Sequence, residues 1–279
     1  MKKCIKNYSP HSIIILSLII FSAMFIFNYF SPLEKSLIYY CNIDNRAWHW
    51  CEILISGLAI FYIFKIKSFN LKDLFTSILL GATVYLSQFG GIWYGYISAF
   101  VTIVSYYSAC QIFRHYGQQN KFFDLKIKDT IKSFFIGTLY AIPFAMINNL
   151  AIYLANGHQT YDFSIFDILP QARNALAPGV SEEIIWHFFL LAFVTALFKG
   201  NIPKDKFTQI LTYILAVVPH CLIHLPTTFI TNPSMAVVTL IFTSVLFGFP
   251  MVYLVKNKNL QTSIGFHWAV DFIRFLFVI

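Results

Sequence analysis

Charge is scarce in this sequence. Of 279 residues 11% are charged and 58% hydrophobic, whereas a soluble domain carries about 25% charged residues. A chain this apolar cannot maintain a water-facing surface of that size, which excludes an ordinary globular domain. Cysteine is sparse too. The five thiols (Cys4, Cys41, Cys51, Cys110, Cys221) form no CxxC and follow no regular spacing, which argues against a disulfide framework or a zinc ribbon. They read as small apolar fillers, with a Cys41–Cys51 pair near one membrane face as the less favoured alternative. Internal repeats and low-complexity stretches are missing, as are the HExxH signature and dense histidine boxes. No small-residue cleavage site follows Lys2, Lys3, Lys6 and the apolar run from Ile13 to Phe27, so that run reads as an uncleaved first span. The net charge of +8 resides in short loops. No basic stripe with interleaved aromatics stands apart from them, which excludes nucleic acid as a partner.

What is present is a series of apolar runs of about 18–22 residues, the length that crosses a bilayer. They predict an all-α polytopic transmembrane bundle of about nine spans, at 12–30, 47–64, 74–88, 92–113, 133–154, 179–198, 208–225, 235–255 and 261–279. Gly90-Gly91 is expected to turn the third span into the fourth. Residues 1–132 form N-terminal membrane helices and 133–279 a core that carries the chemistry, within one membrane domain. Lys and Arg alternate between loops. The N-terminus holds Lys2, Lys3 and Lys6, and the second, fourth, sixth and eighth loops are basic. The odd loops hold only Lys35 and Arg46 in the first and Arg173 in the fifth. By the positive-inside rule this predicts a multi-pass cell-membrane protein with a cytoplasmic N-terminus and an outside C-terminus. Trp48, Trp50 and Trp93 read as interfacial anchors.

Acidic groups inside a span are costly, about 2.5–3.5 kcal/mol each at the centre, and so call for a partner or a function. Three clusters stand out, all in the C-terminal half: Ser181-Glu182-Glu183-Ile184-Ile185-Trp186-His187, Pro219-His220-Cys221-Leu222-Ile223-His224, and His267-Trp268-Ala269-Val270-Asp271. Glu183 and His187, His220 and His224, and His267 and Asp271 are each four apart, about one helical turn, so each pair shares a face. Glu182 is turned about 100° from Glu183, so one carboxylate can face a cavity while the other anchors. Nothing comparable is expected in the first four helices.

Plain structural readings stand beside these. Glu182 and Glu183 behind Pro178-Gly179 fit a helix start in the headgroup region, favoured by the helix dipole. His187 fits a structural partner of Glu183. His220 fits a cap on a carbonyl freed by Pro219. Arg274, one turn beyond Asp271, fits an ion pair that would make both structural.

The order Glu-Glu-x-x-x-(Arg), then a motif ending in His, then His-x-x-x-(Asn or Asp), each on its own membrane helix, resembles the CPBP or Abi family. These are CAAX proteases and bacteriocin-processing enzymes, intramembrane peptidases of the glutamic type, some of which confer bacteriocin immunity. The resemblance covers about residues 133–279, and the stretch Gly248 to Val255 leading to Ser263-Ile264-Gly265-Phe266-His267 is similar to the family's approach to its last motif. Two positions depart from the pattern: His187 stands for the family Arg, and His220 for a Phe. Arg grips a carboxylate bidentately and is always charged; His does neither.

The resemblance implies an intramembrane endopeptidase acting on a membrane-anchored or exported peptide or protein, without a cofactor. By position, Glu182 would be the general base, holding a water with His224. His267 would stabilise the oxyanion, Asp271 would orient His267, and Glu183 would support from behind, fixing His187. The i, i+4 pairs leave a second reading open, a zinc-dependent membrane hydrolase with Glu183, His187, His220 and His224 as ligands. A third is a transporter or immunity factor that uses the pocket for binding only. The charge-derived topology places Glu182 and His224 toward the outer half of the bilayer, which disfavours a prenylated tail reached from the cytoplasm.

Overall fold

A computed structural model describes residues 9–30, 43–87, 92–118, 126–155, 164–202 and 204–277. Cys4, Lys35, Cys41, Gly90-Gly91 and His158 lie outside the described residues. Among those described, every regular element is helical, as expected for an all-α bundle. The order is α1 (Pro10–Phe30), α2 (Ile43–Ile66), α3 (Leu71–Ser87), α4 (Ile92–His115), α5 (Ile127–Ala155), α6 (Ile168–Glu182), α7 (Phe189–Leu197), α8 (Lys206–Leu222), α9 (Pro226–Thr231), α10 (Pro233–Thr243), α11 (Phe249–Asn257) and α12 (Leu260–Phe277). A 3-10 turn, Ile165–Asp167, leads into α6. π-helical turns at Glu183–Phe188 and Ser244–Gly248 join α6 to α7 and α10 to α11. Ile165–Leu197 and Pro233–Asn257 are therefore continuous rods.

Among the described residues, six stretches are long and apolar enough to cross a membrane: Pro10–Phe30, Arg46–Ile66, Gly95–His115, Ile127–Leu154, Ile165–Leu197 and Pro233–Asn257. The other three expected spans are helices as well, but shorter or more polar. α3 and α8 have 17 residues and α12 has 18. At about 1.5 Å per residue each falls a little short of the roughly 30 Å hydrocarbon core. Phe30, Phe64, Leu71, Leu139, Met146 and Leu169 stand exposed on the outside of the bundle, as side chains that meet lipid would. The chain is a helical membrane protein.

The rod Ile165–Leu197 is the centre of the bundle. Of its most apolar window 83% is buried, against 17% for Ile127–Leu154 and 22% for Pro233–Asn257. Ile184, Ile185, Trp186, Phe188 and Phe189 are fully enclosed, with α4, α8 and α12 packed around them. α12 lies along α5 and α6. Its contact with α5 depends on two glycines: a Cβ at Gly265 would run into the carbonyl oxygen of Phe134, and one at Gly137 into that of Thr262. Small residues at such crossings let backbones approach closely. Asp205 caps α8, accepting from the Thr208 amide at 2.9 Å and from the Thr208 hydroxyl at 2.7 Å. These two donors hold its carboxyl below the usual carboxylate range.

The N-terminal half carries buried polar groups where none were expected. Glu52 on α2 is 2% exposed, accepts from Ser98 Oγ at 3.3 Å and has His49 Nδ1 at 3.5 Å. Asp73 on α3 is ion-paired with Arg114 on α4. Each acid has found its partner on a neighbouring helix or turn, which is what permits it there.

Candidate active site

The first motif lies deep in its helix. α6 begins at Ile168 and runs through Pro178 and Gly179, so Glu182 sits about 21 Å along the helix. The helix-start reading of the two glutamates is thereby overturned, since the N-terminus of α6 lies about four turns away. Gly179 gives the backbone of α12 room, since a Cβ there would lie 3.2 Å from the Trp268 amide nitrogen. The helix then widens into the π turn Glu183–Phe188, a form common at functional sites, and at this seam the two carboxylates part.

Glu183 turns inward and has no exposed surface. It accepts from His187 Nδ1 at 2.9 Å and His267 Nδ1 at 2.9 Å, and also from Ser263 Oγ. Both oxygens are engaged, and Glu183 does not line the cavity described below. Its position is that of an anchor rather than of a group that touches substrate. His187, equally enclosed, is its partner.

Glu182 turns the other way. A single oxygen, Oε2, accepts from His220 Nε2 at 2.7 Å and lies 3.5 Å from His267 Nε2 and 3.8 Å from His224 Nε2. His220 is thus a direct partner of Glu182 and not a cap on a carbonyl freed by Pro219. Its ring stacks on Trp186, with centroids 5.8 Å apart and planes 10° from parallel. α8 ends at Leu222, so His224 lies beyond the helix, yet its Nε2 still comes within 3.5 Å of His220 Nε2, as the four-residue spacing predicts. It stands in the turn before Pro226, which starts α9.

His267 is held from behind at Nδ1 by Glu183, with Asp271 facing its other nitrogen. Its Nε2 lies between Glu182 Oε2 at 3.5 Å and Asp271 Oδ2 at 3.4 Å. Asp271 Oδ1 pairs with Arg274 at 2.9 Å, the ion pair anticipated from the sequence, while its other oxygen still faces His267.

These groups line a cavity of about 560 Å³, together with Trp48, Asn148, Thr243 and Arg274 among others. Trp48, read from the sequence as an interfacial anchor and not as a site residue, lines the cavity, and its ring meets His224 edge-on at 4.9 Å. The ligand set Glu183, His187, His220 and His224 is not assembled, because Glu183 and His187 face each other away from the cavity. Among the described residues, the donor atoms that lie within 4.8 Å of one another are those of Glu182, His220 and His224. Sequence reasoning missed Trp48, Trp186 and the anchoring role of Ser263. The signal was present for Ser263, which lies four residues before His267, one turn along the same helix.

The fold and the cavity define a polytopic membrane protein with carboxylates and imidazoles gathered inside its helical bundle. Residues 164–273 match the family model described as type II CAAX prenyl endopeptidase Rce1-like, a narrower stretch than 133–279 but one that contains all three motifs. No curated protein and no solved structure gives a significant match. The resemblance to the CPBP family holds over this segment, where the chain is similar to membrane peptidases of the CAAX-protease type.

Proposed function

We propose that this protein is an intramembrane endopeptidase in which Glu182 takes the proton of a water held between its carboxylate and His224. The observation that carries this reading is the 3.8 Å from Glu182 Oε2 to His224 Nε2. That is too long for a direct hydrogen bond and suits one water in contact with both. A carboxylate sheltered from bulk water is a stronger base than one in solution, which fits proton abstraction near neutral pH. The hydroxide attacks a peptide carbonyl, and Glu182 returns the proton to the leaving amine. Both nitrogens of His267 face carboxylate oxygens, so the doubly protonated ring can donate from each. Glu183 fixes Nδ1, and Nε2 is left to turn from Asp271 and Glu182 toward the oxyanion. No cofactor enters this scheme.

The substrate class follows from where the cavity opens. Trp48 begins α2, Asn148 is near the end of α5, His224 follows α8, and Arg274 and Phe275 end α12. With the N-terminus cytoplasmic, all of these lie toward the outer face, the side of the Lys-poor loops. This supports a membrane-anchored or exported peptide in the cell membrane as substrate, over a prenylated tail presented from the cytoplasm.

The test is cleavage of membrane-anchored peptides by purified protein in detergent, comparing wild type, Glu182→Ala and His224→Ala with and without chelator. Activity lost in both variants, with wild type still active in chelator, is the expected result; full activity in both would sink the assignment.

A further inference from the structure

The sequence departs from the family pattern at His220, and the structure gives that departure a geometry. Glu182 Oε2, His220 Nε2 and His224 Nε2 form a triangle with sides of 2.7, 3.5 and 3.8 Å. A point equidistant from three such atoms lies about 2.0 Å from each, the bond length of zinc to imidazole nitrogen and carboxylate oxygen. Two imidazoles and one carboxylate are also a donor set that suits zinc. An ion there would sit almost in the plane of its three ligands, with the cavity beyond it, leaving a coordination position open. Structural zinc sites are closed by four protein ligands; sites with three keep water or substrate in the fourth position.

We propose that Glu182, His220 and His224 form a reversible zinc(II) site that regulates this peptidase by inhibiting it. The inference rests on the reading of Glu182 as the base. A carboxylate oxygen bound to the ion no longer accepts the proton of water, and His224 is withdrawn from the water at the same time. Binding draws on the Nε2 lone pairs, so His220, which donates from Nε2 to Glu182 in the metal-free site, moves its proton to Nδ1 or releases it. Both histidines and Glu182 line the cavity, so the ion needs no unfolding to enter or leave. Of the neighbouring charges, Asp271 lies across His267 and Arg274 is tied up in its ion pair with Asp271, while the His267 ring, 3.5 Å from Glu182 Oε2, gives up its second proton when the ion binds.

The experiment is a titration of chelator-treated, full-length protein in detergent with zinc, read by calorimetry, and with cobalt(II), read by its visible ligand-field absorption. Wild type should take up one ion per chain. His220→Phe, which restores the family residue, and Glu182→Gln should each bind at least tenfold more weakly, while His115→Ala, on an exposed residue outside the cavity, should bind as wild type. Helical circular dichroism and monodisperse elution confirm that each variant is folded, and His224→Ala provides a second ligand deletion. Cleavage by wild type should fall as the same titration fills the site and recover on chelation.

Absence of stoichiometric binding, or binding that His220→Phe and Glu182→Gln leave unchanged, overturns the site. In that case the glutamate reading still stands if chelated wild type cleaves and Glu182→Ala does not. Cleavage that rises with zinc overturns the inhibitory role, and the glutamate reading with it.

Discussion

His267 donates from Nδ1 to Oε1 of Glu183 over 2.9 Å, a bond between residues 84 apart in the chain that joins α12 to the π turn. The other oxygen of Glu183 accepts from His187 and Ser263. Glu183→Ala therefore leaves two buried imidazole donors without an acceptor, while Ser263 Oγ keeps the Met251 carbonyl at 2.9 Å. Breaking a buried, paired charge in this way costs about 3–5 kcal/mol, so the variant should unfold at a clearly lower Tm in detergent and lose cleavage as His267 comes loose. Glu183→Gln keeps the shape and one acceptor oxygen and should fall between. An unchanged Tm in Glu183→Ala would remove the anchoring role.

Glu182→Gln changes little in volume and abolishes the base. Loss of general base catalysis corresponds to about 10²- to 10⁴-fold in kcat, with a Tm close to wild type because the side chain faces a cavity. Combined with His224→Ala, the effects should be far from additive, since both act on one water. Additive losses in kcat would mean that the two residues serve separate steps.

His187→Arg restores the residue usual for the family and should nonetheless do harm. The imidazole has no exposed surface, and its ring is packed 5.2 Å from that of His220. The longer side chain has nowhere to go, and overpacking of this kind costs about 1–3 kcal/mol. A higher Tm in His187→Arg would show that the pocket accommodates it.

Much of this site was legible in the sequence because its chemistry is expensive in lipid. Glu182, His224, His267 and Asp271 stood out as polar groups in apolar runs, and the structure gathers them at one cavity. The division of labour between Glu182 and Glu183 followed from their 100° offset on a helix. What could not be read was local backbone form. A π turn leaves no periodic signature in so apolar a stretch, and the continuation of α6 through Pro178-Gly179 contradicts the usual punctuation. α8 ends before His224, so His220 and His224 meet at 3.5 Å through a turn and not through the unbroken helix that their spacing presupposed. Trp48 was missed for a different reason: an aromatic near a span end fits an interfacial belt equally well, and only packing against His224 separates the two.

Trp48 comes from α2, outside the family-matched segment, and braces His224 edge-on. Aromatic pairs are worth about 0.5–1.5 kcal/mol. If that energy goes into placing His224, Trp48→Ala should lower kcat by about 2- to 10-fold, with Trp48→Phe recovering most of it. A loss confined to KM would mark Trp48 as a substrate contact instead.

The crossing of α5 and α12 leaves no room for a methyl group. Gly265→Ala and Gly137→Ala each push a Cβ into a carbonyl oxygen of the opposite helix, where only backbone movement can relieve the clash. Each should cost about 1–3 kcal/mol or more and lower the Tm. Gly57→Ala, where a Cβ would meet nothing within 4 Å, is the control and should leave it unchanged.

The widened turn at Glu183–Phe188 makes rotational phase part of what the gene must preserve. A π turn takes up one residue more than an α turn, so the helix faces on either side of it stay in phase. Deleting one residue between Glu183 and His187 would restore α geometry and leave both flanking faces in place, while the two partners would no longer stand four apart. Such a chain would keep its hydropathy and helix content and lose the contact that pairs His187 with Glu183. A surplus residue in a helix, ordinarily counted as a defect, is here what sets the anchor behind the cavity.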